Sequence, residues 1–329
     1  MARELDEAAL WPIVQALAAG GWVSGEGLAA QLGIGRAALA KRLAHLADWG
    51  LEWEAQAGLG YRLAAPLRLL EVPDIRAALP ALWRDRLEVQ LLRRTDSTNS
   101  RLLETPGEAP RALLAEMQTG GRGRRGRSWR SPFGVNLYLS LAWRYPAWPP
   151  QLSALPLALG VAVATALREH GVPAVGLKWP NDLWVGDAKL GGLLVEQRGE
   201  AGGDCRLVIG LGLNVSMRAA QAADLEQAWT SIDRLLPAQA PADRSLLAGT
   251  LLGALATSCE RFEQTGFAPF LPAWRALDIL AGRAVVVRTE GSAPLHGEAV
   301  GVDAHGALRL RTADGERQLT AGDISLRPV

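Results

Sequence analysis

Apolar side chains recur three and four positions apart at Leu10, Ile13, Val14 and Leu17, and this spacing predicts an amphipathic helix that Gly20-Gly21 closes. A second short helix is expected after Ser24, a residue type that caps helix starts, with Leu28 and Leu32 turned inward. Gly33 makes the turn. A third helix is expected from about Arg36 to Trp49, with Leu39, Leu43 and Leu46 on one face and Arg36, Lys41, Arg42 and His45 mostly off it. After Gly50, the segment LEWEAQAGLGYRL reads as two short strands around Gly58 and Gly60. Three helices with a tight turn before the third, followed by a hairpin, are the order of a winged helix-turn-helix.

Residues 64–74, with Pro66 and Pro73, read as a connector. From Leu87 to about Val215 strands and helices mix, with glycine-rich interruptions at 120–126, 191–192 and 200–203. Helical stretches are expected at Gln151–His170 and Asp243–Thr265. This order predicts an α+β domain, a mixed sheet with helices packed on it. From Ala281 the pattern changes to short strands (AVVVRT, LHGEAVGV, ALRLRT, RQLT, ISLRP) between Gly and Asp turns, which predicts a small SH3-like β-barrel. The expected division is 1–65, 66–278 and 279–329.

A formal net charge of +1 excludes a whole-molecule electrostatic nucleic-acid binder, so any such contact must lie in a local patch. Cys205 and Cys259 belong to no C-x-x-C pair and lie near no histidine cluster, which argues against a disulfide framework or structural zinc. The N-terminus MARELDEAAL has acids where a secretory signal has bases, and the apolar run Leu155–Leu167 is too short to span a bilayer. The expected location is the cytoplasm, with no membrane contact.

Four segments carry chemistry. GGRGRRGRSWR, residues 120–130, packs four glycines and five arginines between two expected strands. Glycine lets backbone N–H groups approach an anion, and arginine offers forked donors that fit phosphate or carboxylate. The run reads as a clamp over an anionic ligand, or as a solvated basic loop; its place inside a strand-rich region, with Trp129 following, favours the clamp. In GLKWPNDLWVGDAKLGGLLVE, residues 176–196, a strand, a turn at Pro180-Asn181-Asp182, a second strand and a tight turn precede Lys189. A lysine beside a hairpin turn is often plain surface. Gly191-Gly192 inside a strand, however, implies close approach to the backbone. TDSTNSRLLE places Ser97, Thr98 and Asn99 at a helix start, as caps or as partners of a polar ligand. VIGLGLNV ends a buried strand at Asn214.

In this order, Asp96–Asn99, GRGRRGRSW, KWPND, KLGGLLVE and GLGLNV resemble the biotin–protein ligases, and the flanking regions are similar to those of the bifunctional biotin operon repressor and ligase, over roughly 8–327. The resemblance implies formation of biotinyl-AMP from biotin and ATP with Mg²⁺, and transfer of biotin to a lysine of a biotin carboxyl carrier domain. It implies that Ser97, Thr98 and Gln118 bind the biotin ureido group, with Asn99 and Gly192 nearby, and that Gly121, Arg122, Gly123 and Arg124 fold over biotin and the adenylate phosphate. Trp129 would lie near the adenine, with Arg124, Arg125, Lys178, Asn181, Asp182 and Asn214 on the nucleotide side. Lys189 would bridge carboxylate and α-phosphate, and with Arg122 and Arg124 form the catalytic cations; Asp182 would orient the incoming lysine. The resemblance adds operator DNA, met by Arg36, Lys41 and Arg42, and a homodimer formed with biotinyl-AMP. Two other readings remain: a biotin-sensing regulator without catalysis, and a ligase for another acid such as lipoate.

Overall fold

The computed structural model describes residues 7–105, 107, 110–198, 203–237, 242–289, 293–320 and 324–328. Of the expected interruption at 200–203, all but Gly203 lies outside them. The chain begins with α1 (Glu7–Ala18), α2 (Gly25–Gln31) and α3 (Arg36–Ala44), then a hairpin of β1 (Trp53–Gln56) and β2 (Gly60–Leu63). Ser24 Oγ accepts from Gly27 N at 3.2 Å and caps α2, whereas Gly35 offers α3 no side-chain cap. The third helix, expected to run to Trp49, ends at Ala44; His45–Trp49 tightens into a 3-10 turn that Gly50 closes at φ 70°. That tightening still points Leu46 and Trp49 into the core.

This helical core is not closed by its own segment. Phe133, 1% exposed, packs at a centroid distance of 4.9 Å from Trp49 and edge-on to Trp11, and Leu67 joins it. Gly134 is required here: at φ 72° a Cβ would sit 2.3 Å from Leu67 Cδ1.

The connector folds partly as α4 (Val72–Ala78), with Pro73 in its first turn where the lost N–H costs nothing, and α5 (Ala81–Arg84). There follow β3 (Glu88–Thr95), α6 (Thr98–Glu104), β4 (Arg111–Gln118), β5 (Leu137–Tyr145), α7 (Leu155–Glu169), β6 (Val175–Lys178), β7 (Asp182–Val185), β8 (Ala188–Arg198), β9 (Cys205–Leu213), α8 (Arg244–Thr265) and α9 (Leu271–Leu277). The sheet order is β3-β4-β5-β9-β8-β7-β6; β3 and β4 run parallel and the other neighbours antiparallel. The β3–α6–β4 crossover opens α6 where both strands end, which sets Ser97 and Thr98 beside Gln118. Asp243 Oδ1 caps α8 by accepting from Ser245 N and Leu246 N. Leu152–Glu169 is long and apolar enough to cross a membrane by length and composition, contrary to the expectation from the sequence, but ten residues of α7 are buried and it packs on α8, α9 and the sheet.

One buried ion pair ties the connector to this layer. Arg244 Nη2 lies 2.8 Å from Glu116 Oε2, with side chains 4% and 1% exposed. The guanidinium also donates to the carbonyls of Asn136 and Arg68, and Glu116 Oε1 accepts from Leu70 N.

The last segment forms β10 (Ala284–Thr289), β11 (Leu295–Val302), β12 (Leu308–Thr312), β13 (Gly315–Leu319) and β14 (Ile324–Pro328), an antiparallel sheet in the order β13-β12-β11-β10-β14. Val285, Val287, Ala299, Leu308 and Leu310 continue the central core. Trp179 Nε1 donates to Gly306 O at 3.1 Å, which anchors this sheet beside β6. Asp278 sits at the junction, where burial pushes its carboxyl up to about 6 against the opposing backbone N–H groups of Leu280 and Ala281. A folded-state value above the unfolded one means stability is lost as pH rises from about 4 through about 6. Asp278→Asn should therefore melt higher than the unaltered protein at about pH 8 and level with it at about pH 4. Equal melting temperatures at both would show that the buried charge has no cost.

Candidate active site

A cavity of about 640 Å³ opens where β3, β4 and α6 meet, between the loop 120–130 and the β6–β7 turn. At its α6 side, Thr98 N and Oγ1 donate to Gln118 Oε1 at 2.9 and 3.0 Å, and Gln118 Nε2 donates to Ser131 Oγ at 3.2 Å. Ser97 caps α6 through Ser100 N, so the capping role and the cavity role coincide. Asn99 donates through Nδ2 to Glu196 Oε2 at 2.8 Å, and its Oδ1 accepts from Ser140 Oγ at 2.5 Å. Ser140 Oγ also lies 2.7 Å from Thr98 Oγ1, which links Asn99 to the Thr98–Gln118 pair.

The loop lies along the cavity. Arg122 Nη2 reaches Glu196 Oε2 and Ser100 Oγ, both at 3.1 Å. Gly123, Arg124 and Arg125 line the wall, and Arg124 Nη1 donates to Asn181 Oδ1 at 3.4 Å. Gly121 lies behind the wall, where a Cβ would come 2.7 Å from Ser131 Oγ and from Trp129 O. Trp129 lies against Gly212, where a Cβ would approach Trp129 Cε2 to 2.4 Å.

On the β6–β7 side, Lys189 Nζ lies 2.8 Å from Asp182 Oδ1 and 5.4 Å from the Trp129 ring centroid. A register shift between Leu183 and Trp184 brings Trp184 opposite Lys189. Lys178, 7% exposed, holds its Nζ 4.1 Å from the Trp184 ring centroid. Gly192 lines the cavity beside Asp182, and Asn214 is fixed by Thr230 O and Asn136 Nδ2. The lining carries seven basic and two acidic side chains, a far more positive balance than the chain's +1, so the cavity attracts a polyanion.

The family model for the biotin/lipoate A/B protein ligases matches residues 91–214, and that for the biotin protein ligase C terminal domain matches 281–327. The bifunctional ligase/repressor BirA of Escherichia coli (strain K12) is 40% identical over 317 residues, 96% of each chain, and that of Salmonella typhimurium is 39% identical over the same shares. The chain belongs to the biotin protein ligase family. Among solved structures, the biotin protein ligase from Aquifex aeolicus in complex with biotin and ATP is similar at a TM-score of 0.64, with 29% identity over 74% of this chain and 99% of that one.

In this biotin protein ligase, the cations expected to converge divide between two sides of one cavity. Lys189 and Arg124 gather at Asp182 and Asn181, while Arg122 is engaged on the α6 side. Ser140 and the segment Leu225–Trp229 were not singled out from sequence, and Glu196, Gly210 and Gly212 entered only as members of KLGGLLVE and GLGLNV, with no role of their own. A Cβ at Gly210 would meet Asn99 Oδ1 at 2.4 Å, so both glycines of the G-x-G pair face the site. Their spacing of two on one strand was the available signal. Trp229 is brought to the cavity by backbone pairing of Lys189 with Ala228 and Thr230. Arg130 Nε, donating to Gln221 O at 3.0 Å, joins the loop to the 3-10 turn Ala219–Ala222 that precedes this segment. Burial keeps Tyr138, whose hydroxyl donates to Pro132 O, well above its ordinary pKa and hence neutral. Arg36, Lys41 and Arg42 lie away from the cavity on α3; Arg36 pairs with Glu26 at 2.8 Å, Lys41 is exposed, and Arg42 reaches Ala9 O.

Proposed function

We propose that this ligase joins biotin to ATP in the cavity, giving biotinyl-AMP and pyrophosphate, and then passes the acyl group to a lysine of a biotin carboxyl carrier domain. The observation that carries this reading is one cavity with a neutral hydrogen-bonding nest at Ser97, Thr98 and Gln118 and cations at Lys189 and Arg124. The nest suits a ureido group, and the cations suit the point where carboxylate and α-phosphate meet. A carboxylate oxygen attacks the α-phosphorus and pyrophosphate leaves; a neutral lysine amine then attacks the acyl carbon, and AMP leaves as the amide nitrogen loses a proton.

Arg122, Gly123 and Arg124 cover the adenylate, Gly121 lets the loop fold back on Ser131, and Trp129 lies by the adenine. Lys178, Arg125, Asn181 and Asn214 serve the nucleotide, and Asp182 receives the incoming amine. Mg²⁺ would enter with ATP and would supply positive charge to the departing pyrophosphate, beside the cations Lys189 and Arg124. The test is the intact mass of a carrier domain incubated with this protein, MgATP and either biotin or lipoate. A biotin adduct is expected. A lipoate adduct alone would make this a ligase for another acid, and no adduct would leave a sensor.

Residues 1–65 we assign to a winged helix-turn-helix, with the exposed face of α3 toward operator DNA. Residues 66–278 are the catalytic domain, and 279–329 a small SH3-like barrel. The relatives named ligase/repressor support this assignment. The protein acts in the cytoplasm and dimerises when biotinyl-AMP is bound, which pairs two α3 helices on a palindromic site.

A further inference from the structure

Arg122 sits at a junction that adenylate chemistry by itself does not require. Glu196 Oε2 accepts from Arg122 Nη2 at 3.1 Å and from Asn99 Nδ2 at 2.8 Å, and Arg122 Nη2 also donates to Ser100 Oγ. Asn99 is 4% exposed and held at its other end by Ser140, so it presents the Glu196 carboxylate in one orientation. Glu196 itself lies outside the cavity wall, on β8 seven residues past Lys189 and opposite Val208 of β9. One carboxylate thereby ties α6, β8 and the glycine-arginine loop together. With side-chain exposures of 41% and 24%, the Arg122–Glu196 pair lies at the surface, where water weakens it, and its strength comes from being a charge-assisted hydrogen bond whose carboxylate Asn99 already orients.

We propose that Glu196 is a positioning residue that acts through Arg122: it holds the loop down over the cavity and sets how long the activated acyl-adenylate stays bound, an inference that rests on the ligase reading above. Held by Glu196 and Ser100 on the α6 side, away from Asp182 and Asn181, Arg122 serves as a tether. Lys189 and Arg124 remain to meet the reacting groups.

The test uses synthetic biotinyl-AMP loaded on the full chain, and follows its dissociation rate for the unaltered protein, Glu196→Gln, Arg122→Gln and the double variant. Glutamine at 196 still accepts from Asn99 through its amide oxygen, so Glu196→Gln removes the ionic tether and leaves the Asn99 contact. Release about two- to fivefold faster is expected for either single change, the size of a partly exposed ion pair. The double variant should release no faster than Arg122→Gln. Release at the parent rate in Glu196→Gln, or the same acceleration whether or not Arg122 is present, would overturn the proposal, since the second pattern belongs to a purely structural role. Failure of the unaltered protein to retain biotinyl-AMP would overturn the ligase reading itself, and this one with it.

Discussion

Replacing Lys189 with alanine should lower biotin-dependent ATP–pyrophosphate exchange by about a thousandfold while the protein still folds. At about 4 Å and an effective dielectric near 20, one unit charge contributes roughly 4 kcal/mol, which is about three orders of magnitude in rate. Lys189 is where that charge belongs: its ammonium lies at the cavity wall, 2.8 Å from Asp182 and beside Trp129. Holding it against Asp182 keeps the cation in place before the two anions arrive. Its backbone stays paired with the 228–230 segment whatever the side chain, so β8 should survive the change. The measurement is isotope exchange between pyrophosphate and ATP with and without biotin, alongside a thermal melt. Near-normal exchange would remove Lys189 from the reacting centre.

Arg244→Met should lower stability by about 3–5 kcal/mol, because it leaves the Glu116 carboxylate buried without its counter-charge. Glu116 is 1% exposed and has Leu70 N as its other side-chain partner, which does not neutralise it. For a chain of this size the loss corresponds to a melting temperature lower by about 4–7 °C. Arg244→Met with Glu116→Gln should recover part of it, since no buried charge then remains. The damage should also reach the site, because Arg244 holds Asn136 O and the Asn136 side chain holds Asn214 and Val215. A melt unchanged within about 1 kcal/mol would mean that the buried pair contributes nothing net.

What the sequence made legible was whatever depends on near neighbours. The three-and-four spacing of Leu10 to Leu17, the cap Ser24 and the turn at Gly186-Asp187 act within a few residues, and each of these elements formed where its pattern placed it. Residues contacting across long separations were not legible. Phe133 closes the helical core from a segment some eighty residues beyond Trp49, and no local pattern marks it as different from any other loop aromatic. The end of α3 at Ala44 was missed because Leu46 and Trp49 keep helical spacing through the 3-10 turn. In the site, arginines and glycines clustered in one loop announced themselves. Glu196, Ser140 and Gly210 did not, because their meaning lies in Asn99, a neighbour only after β5, β8 and β9 have paired. Gly121, in the same loop motif, packs so closely on Ser131 and Trp129 that a Cβ would not fit, a contact that only the folded loop reveals.

The central claim is that a single cavity brings a lysine ammonium to the place where an acid joins a nucleotide. A crystal structure with the sulfamoyl analogue of biotinyl-AMP, in which a stable linkage replaces the acyl phosphate, tests it most directly. The account predicts the ring system of the acid at Thr98 and Gln118, the adenine by Trp129, and Lys189 Nζ released from Asp182 onto the linkage between them. An analogue lying elsewhere, or one whose linkage contacts neither Lys189 nor Arg124, would contradict it.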